Sequence, residues 1–125
     1  WSPTGDYLLT ASEGIATLWN ASTGEALREF KGQGRDGDGR HGPGTAVFSP
    51  AGECILTTSW GPPGLKEHTA KMWNASTGEV LRNLTGHTKG VLSAVFSPTG
   101  DRVLTASADK TAIVWDASTG EVLQR

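Results

Sequence analysis

The pentapeptide Ala-Ser-Thr-Gly-Glu stands three times in this chain, at 21–25, 75–79 and 117–121. Each copy is separated from a tryptophan by one residue, in Trp19-Asn20, Trp73-Asn74 and Trp115-Asp116. A second anchor precedes each copy: WSPTGD at 1–6, FSPAGE at 48–53 and FSPTGD at 96–101. The aromatic residues of that anchor, Trp1, Phe48 and Phe96, are 47 and 48 residues apart, whereas the tryptophans are 54 and 42 apart, so residues have been inserted into the middle copy. Two anchors recurring three times in fixed order indicate units that bury their apolar faces by stacking on copies of themselves.

The most regular copy, residues 86–125, serves as the template. VLSAVFS (91–97) predicts a first strand, with Val91, Ser93 and Val95 on one face and Leu92, Ala94 and Phe96 on the other. Pro98-Thr99-Gly100-Asp101 is turn chemistry, and RVLTAS (102–107) predicts a second strand. TAIVW (111–115) predicts a third and EVLQR (121–125) a fourth. Four short strands per unit and a period near 40–45 residues fit a propeller blade. The expected fold is all-β: a β-propeller segment of about three four-stranded antiparallel blades, at 1–31, 32–85 and 86–125, the first lacking its innermost strand. A propeller closes with 4–8 blades, so the chain is expected to be part of a longer propeller or to assemble with other copies.

Bulk properties narrow the function classes. The net charge of −2 is spread over interleaved acidic and basic residues, so no nucleic-acid footprint stands out. No apolar run approaches membrane-spanning length, and the cytoplasm is the favoured location. Cys54, the single cysteine, excludes an intrachain disulfide. Asp36-Gly37-Asp38-Gly39 resembles the start of a calcium loop, but Arg40 and Val47 occupy later ligand places. His41 and His68 alone make a weak metal site. Asn20-Ala21-Ser22 and Asn74-Ala75-Ser76 match a glycosylation pattern but belong to the repeated turn, and Asn83-Leu84-Thr85 has no sign of secretion beside it. No cofactor, metal or catalytic residue is expected.

The middle copy departs from the template twice. Seventeen residues separate Phe30 from Phe48 where eleven separate Leu84 from Phe96, and Ser59 lies 14 steps from its tryptophan where Ser107 lies 8 from Trp115. With four strands per blade, both insertions are expected on one rim of one blade. They carry the expected partner-binding residues Arg35, Asp36, Asp38, Arg40, His41, Trp60, Leu65 and Lys66, since aromatic and arginine side chains are favoured interface anchors.

The chain resembles the WD-repeat (WD40) β-propeller family along essentially its whole length. The resemblance rests on GH at 86–87, FSPTGD at 96–101, TASADKT at 105–111 and WD at 115–116. Its regularity is similar to that of recently amplified bacterial repeats. The family implies a structural hydrogen-bond network of His87, Thr105, Asp109 and Trp115, with Ser107 the alternative hydroxyl; in the middle copy Gly39 stands at the histidine's place with His41 two residues late, and in the first copy that place falls before Trp1. It also implies a non-catalytic scaffold that binds protein or peptide partners. A ligand- or glycan-binding propeller, or an accessory part of an enzymatic one, is the alternative. The His/Asp/hydroxyl set superficially suggests a hydrolytic triad, but the hydroxyl is mid-strand and no nucleophile elbow accompanies it. Ser118 stands where the family's cullin-ligase receptors carry arginine.

Overall fold

The computed structural model describes residues 1–12, 15–31, 43–59 and 68–125. Within them the chain forms eleven strands and no helix. A three-stranded sheet contains β1 (Tyr7–Ser12), β2 (Ile15–Asn20) and β3 (Ala26–Lys31); a four-stranded sheet contains β4 (Pro43–Phe48), β5 (Cys54–Ser59), β6 (Thr69–Asn74) and β7 (Val80–Thr85). A second four-stranded sheet contains β8 (Val91–Phe96), β9 (Arg102–Ser107), β10 (Ala112–Asp116) and β11 (Val122–Gln124). Every sheet is an antiparallel meander in chain order.

The two sequence anchors are the turns that make these meanders repeat. In the first, the serine closes the turn twice. Its carbonyl accepts the glycine amide (Gly5 to Ser2, Gly52 to Ser49, Gly100 to Ser97; 3.0, 2.9 and 2.9 Å). Its hydroxyl accepts the amide of the next strand's first residue (Tyr7, Cys54 and Arg102; 3.0, 3.0 and 3.1 Å). In the second anchor, the Oδ1 of Asn20, Asn74 or Asp116 accepts the amides two and three residues on, a side chain standing in for backbone. In every sheet the register then shifts by a bulge beside the tryptophan of that turn.

The sheets stack face to face through matching positions. Leu9, Ala16, Leu18 and Phe30 of the first sheet pack on Ile55, Trp73 and Ala46 of the middle one. One step along, Leu56, Ala70, Met72 and Leu84 pack on Val103, Ile113, Trp115 and Ala94. Phe30 meets Trp73 edge-on, with ring centroids 5.5 Å apart, an arrangement aromatic quadrupoles favour. Buried apolar area at about 25 cal/mol per Å² is thus gained mainly between sheets, not within one.

One expectation is corrected. The strict alternation read for β8 fails, because a register shift between Val91 and Ser93 inserts an extra residue against β9. Val91 and Ala94 are both buried, while Leu92, Ser93 and Val95 are exposed. A bulge resets the period-two pattern, so parity counted from one end of the strand gives the wrong face at the other.

Candidate functional site: a buried polar chain in the third sheet

His87 lies just before β8, on the segment joining β7 to β8, and points beneath the turn from β9 to β10. Its Nδ1 is 2.9 Å from Asp109 Oδ2 and its Nε2 is 2.8 Å from Thr105 Oγ1. The indole Nε1–H of Trp115 donates to the same Thr105 oxygen at 2.9 Å. The inventory of donors decides the direction. If the carboxylate fixes the proton on Nδ1, then Nε2 is an acceptor, the Thr105 O–H donates to it, and the threonine oxygen is free to accept the indole. Thr105 and the His87 side chain are both 0% exposed, so every polar atom in the chain must be satisfied internally.

Asp109 is the hub. Oδ2 also accepts the Thr88 amide at 3.0 Å, and Oδ1 accepts both the amide and the hydroxyl of Thr111, at 2.8 and 2.6 Å. Partial burial pushes its carboxyl up. The hydrogen bonds from the Thr111 hydroxyl, the Thr88 amide and His87 outweigh that and hold the group well below the usual carboxylate range. The next residue, Lys110, has φ 72°, a left-handed conformation that costs a side chain about 1 kcal/mol. Thr88 and Thr111 belong to this shell yet were not singled out from the sequence; the Ser-x-Asp-Lys-Thr spacing of a tight turn is the signal that would have found Thr111.

Ser107 does not reach the imidazole. Its hydroxyl faces the Lys89 and Gly90 carbonyls at 2.9 and 3.0 Å and accepts the Asp109 amide at 3.1 Å, tying the turn to the start of β8. Chemically the chain is closed. The threonine oxygen is buried and occupied, so it cannot present a nucleophile to a substrate in this conformation.

Among the described residues, the other sheets show the last link. Trp73 donates to Thr57 at 2.8 Å and Trp19 donates to Thr10 at 2.8 Å. The candidate partner residues Arg35, Asp36, Asp38, Arg40, His41, Trp60, Leu65 and Lys66 lie outside the described residues. His68 is described, and its buried Nδ1 has no hydrogen-bond partner among the described residues. Among those residues no cluster of three His, Cys, Asp or Glu side chains could hold a metal. Cys54 is half-buried, and burial followed by the neighbouring Glu53 carboxylate pushes its thiol up, away from thiolate chemistry. Two further arginines, Arg28 and Arg82, cross between sheets to backbone carbonyls, a role that spacing along one strand does not show.

Comparison with known proteins adds to this geometry. The family described as "WD domain, G-beta repeat" matches residues 78–116. The chain is 26% identical over 124 residues to Elongator complex protein 2 of Schizosaccharomyces pombe, covering 89% of this chain and 16% of that protein. It is 51% identical over 43 residues to pre-mRNA-processing factor 19 homolog 2 of Arabidopsis thaliana, covering 34% of this chain and 8% of that protein. It is 29% identical over 126 residues to nuclear distribution protein PAC1 of Coccidioides posadasii, covering 88% of this chain and 25% of that protein. The chain therefore spans a quarter or less of these curated relatives. Residues 78–116 therefore carry a repeat similar to the WD40 type, within a chain of three stacked antiparallel sheets built on one repeated pair of turns.

Proposed function

We propose that this chain is a non-catalytic scaffold segment that binds protein or peptide partners, its repeats being the units 1–31, 32–85 and 86–125. The observation that carries this reading is the state of its most chemical-looking residues. His87, Thr105, Asp109 and Trp115 saturate one another within hydrogen-bonding distance, and Ser107 ties the adjoining turn to β8. Such a network stabilises a sheet; it leaves nothing to attack a substrate. One relative is named for the complex it belongs to, which agrees with an assembly role.

Two surfaces follow from this reading. The first is the pair of insertions unique to the middle repeat, with Arg35, Asp36, Asp38, Arg40, His41, Trp60, Leu65 and Lys66 as partner contacts. The second is the outer face of the third sheet. There Val95 and Leu104 are 46% and 44% exposed, whereas Leu56, the counterpart of Leu104 in the middle sheet, is fully covered by the next sheet. This face takes a further WD-type repeat, from the parent chain or from a second copy. The insertion surface is tested by quantitative affinity capture with the wild-type chain and a Trp60→Ala/Arg40→Ala variant of unchanged melting temperature. Reduced recovery of the captured proteins is expected; equal recovery removes those loops from the proposal.

A further inference from the structure

Two of the three sheets reach across to their neighbour with an arginine, always in the same direction. Arg28 on β3 extends from the first sheet to the turn between β6 and β7, where Nη1 donates to the Thr77 carbonyl at 2.9 Å and Nη2 to the Ser76 carbonyl at 2.7 Å. Arg82, at the matching place on β7, extends to the turn between β10 and β11, where Nε donates to the Ser118 carbonyl at 2.9 Å and Nη2 donates to the same oxygen. The acceptors lie in the repeated Ala-Ser-Thr-Gly-Glu: the serine and threonine carbonyls for Arg28, the serine carbonyl alone for Arg82. The serine and threonine amides are held by the Asn74 or Asp116 side chain, at 2.8 and 3.0 Å in one turn and 2.9 and 3.0 Å in the other. The glycine that follows lies beneath the incoming side chain. A Cβ on Gly78 would stand 2.9 Å from Arg28 Nη1, and one on Gly120 would stand 3.3 Å from Arg82 Cδ.

The first sheet carries the same turn without its arginine. Asn20 Oδ1 accepts the Ser22 and Thr23 amides at 2.9 and 3.1 Å, and Gly24 has φ 74° where its counterparts have 78°. Among the described residues, nothing lies within 4 Å of where a Cβ on Gly24 would be. At the other side of the stack, the strand position that holds Arg28 and Arg82 holds Gln124. Arg125, one residue on, turns back toward the Gly86 carbonyl of its own sheet, at 3.5 Å.

We propose that the Ser22 and Thr23 carbonyls form a preformed receptor for the guanidinium of an arginine carried on the outer strand of an adjoining WD-type repeat. This deepens the docking reading given above and rests on it. A planar guanidinium fork spans two neighbouring carbonyls as a lysine ammonium cannot, and its hydrogen bonds are charge-assisted. The turn is rigid before the arginine arrives, so little ordering cost falls on the receptor side. The same fork can come from a repeat of the parent chain or from a second molecule, and the latter is what this chain itself can test.

The probe is a second copy of the chain carrying Gln124→Arg, which restores the missing donor. Sedimentation equilibrium of wild type and Q124R is compared with that of Q124K and of Q124R/Gly24→Asn. Asparagine tolerates positive φ better than other side chains while placing atoms in the arginine's path. The expected result is self-association about tenfold tighter for Q124R than for wild type, a smaller gain for Q124K, and return to the wild-type value when Gly24→Asn is added. Q124R and wild type behaving alike, whether both associate or both stay monomeric, overturns the receptor. The wild type's own mass against concentration separately reports whether the third sheet's face docks in trans. Tightening that survives Gly24→Asn places the arginine elsewhere and also overturns the assignment. If Gly24→Asn melts the fold, the comparison of Q124R with Q124K decides, since an equal gain from lysine denies the two-carbonyl receptor.

Discussion

The third and first sheets make the same tryptophan-to-threonine hydrogen bond, at 2.9 and 2.8 Å, yet in opposite surroundings. Trp115 is 1% exposed, and Thr105 beneath it is sealed by His87 on one side and the middle sheet on the other. Thr10 is exposed, with water available to its hydroxyl and to the half-buried Trp19. An identical donor and acceptor therefore carry different free energies. Breaking a buried hydrogen bond leaves groups that water cannot reach, which costs about 1–3 kcal/mol per group, while an exposed pair exchanges its partner for water.

The strongest way to break this comparison is to remove the same hydroxyl from both sheets. Thr105→Val strips the acceptor from Trp115 and the donor from His87 at nearly constant volume, and about 3 kcal/mol of destabilisation is expected in chemical unfolding. Thr10→Val should cost less than about 1 kcal/mol. Equal losses would mean that burial does not set the value of this bond. Next in size is His87→Ala, which empties a fully buried site and frees Asp109 from one partner; a loss of about 2 kcal/mol is expected, with any ligand binding by the loops unchanged.

Asp109 sharpens the contrast through pH. Its folded-state carboxyl is held below the ordinary value near 4, so the unfolded chain binds a proton at higher pH than the folded chain does. Its contribution is then fully present above about pH 5 and is lost as the pH falls toward the folded-state value. Unfolding midpoints measured between about pH 5 and 2 should fall more steeply for wild type than for Asp109→Asn. Parallel curves would show that the hub carboxylate is not specially held. Asp101, held low by Thr99 and Ser97, and Asp116, held low by Ser118 and Thr119, act equally in both proteins and cancel from the difference. The smallest effect expected is a gain: Lys110→Gly removes a left-handed side chain, raising stability by about 0.5–1 kcal/mol, and no change would indicate that the lysine side chain offsets its own strain.

Much of this was legible along the chain because the repeat supplies its own alignment. The serine-proline-glycine and asparagine-serine-threonine-glycine turns dictate where strands end, and tryptophan with a threonine two strand positions into its neighbour marks the shared bond. His87 and Asp109 can be written beside Thr105 and Trp115 only through what the resemblance to the WD-repeat family implies. That Ser107 turns to the Lys89 and Gly90 carbonyls cannot, since two hydroxyls on one strand compete for one imidazole and only the bulged start of β8 decides between them. The arginine clasps were hidden for another reason. Their partners lie 48 and 49 residues away for Arg28 and 36 away for Arg82, on backbone oxygens that no side-chain motif records. The eight residues assigned to partner binding rest on the sequence alone.

The clasp also gives each repeat a head and a tail. The donor arginine belongs to one unit and the accepting turn to the next, and both acceptor turns are spelled Ala-Ser-Thr-Gly-Glu. Either arginine-bearing unit, duplicated in frame, would therefore meet its new neighbour with donor and acceptor already matched. A break at mid-unit would separate a strand from its sheet. Lengthening such an array by complete arginine-bearing copies needs no new contact chemistry.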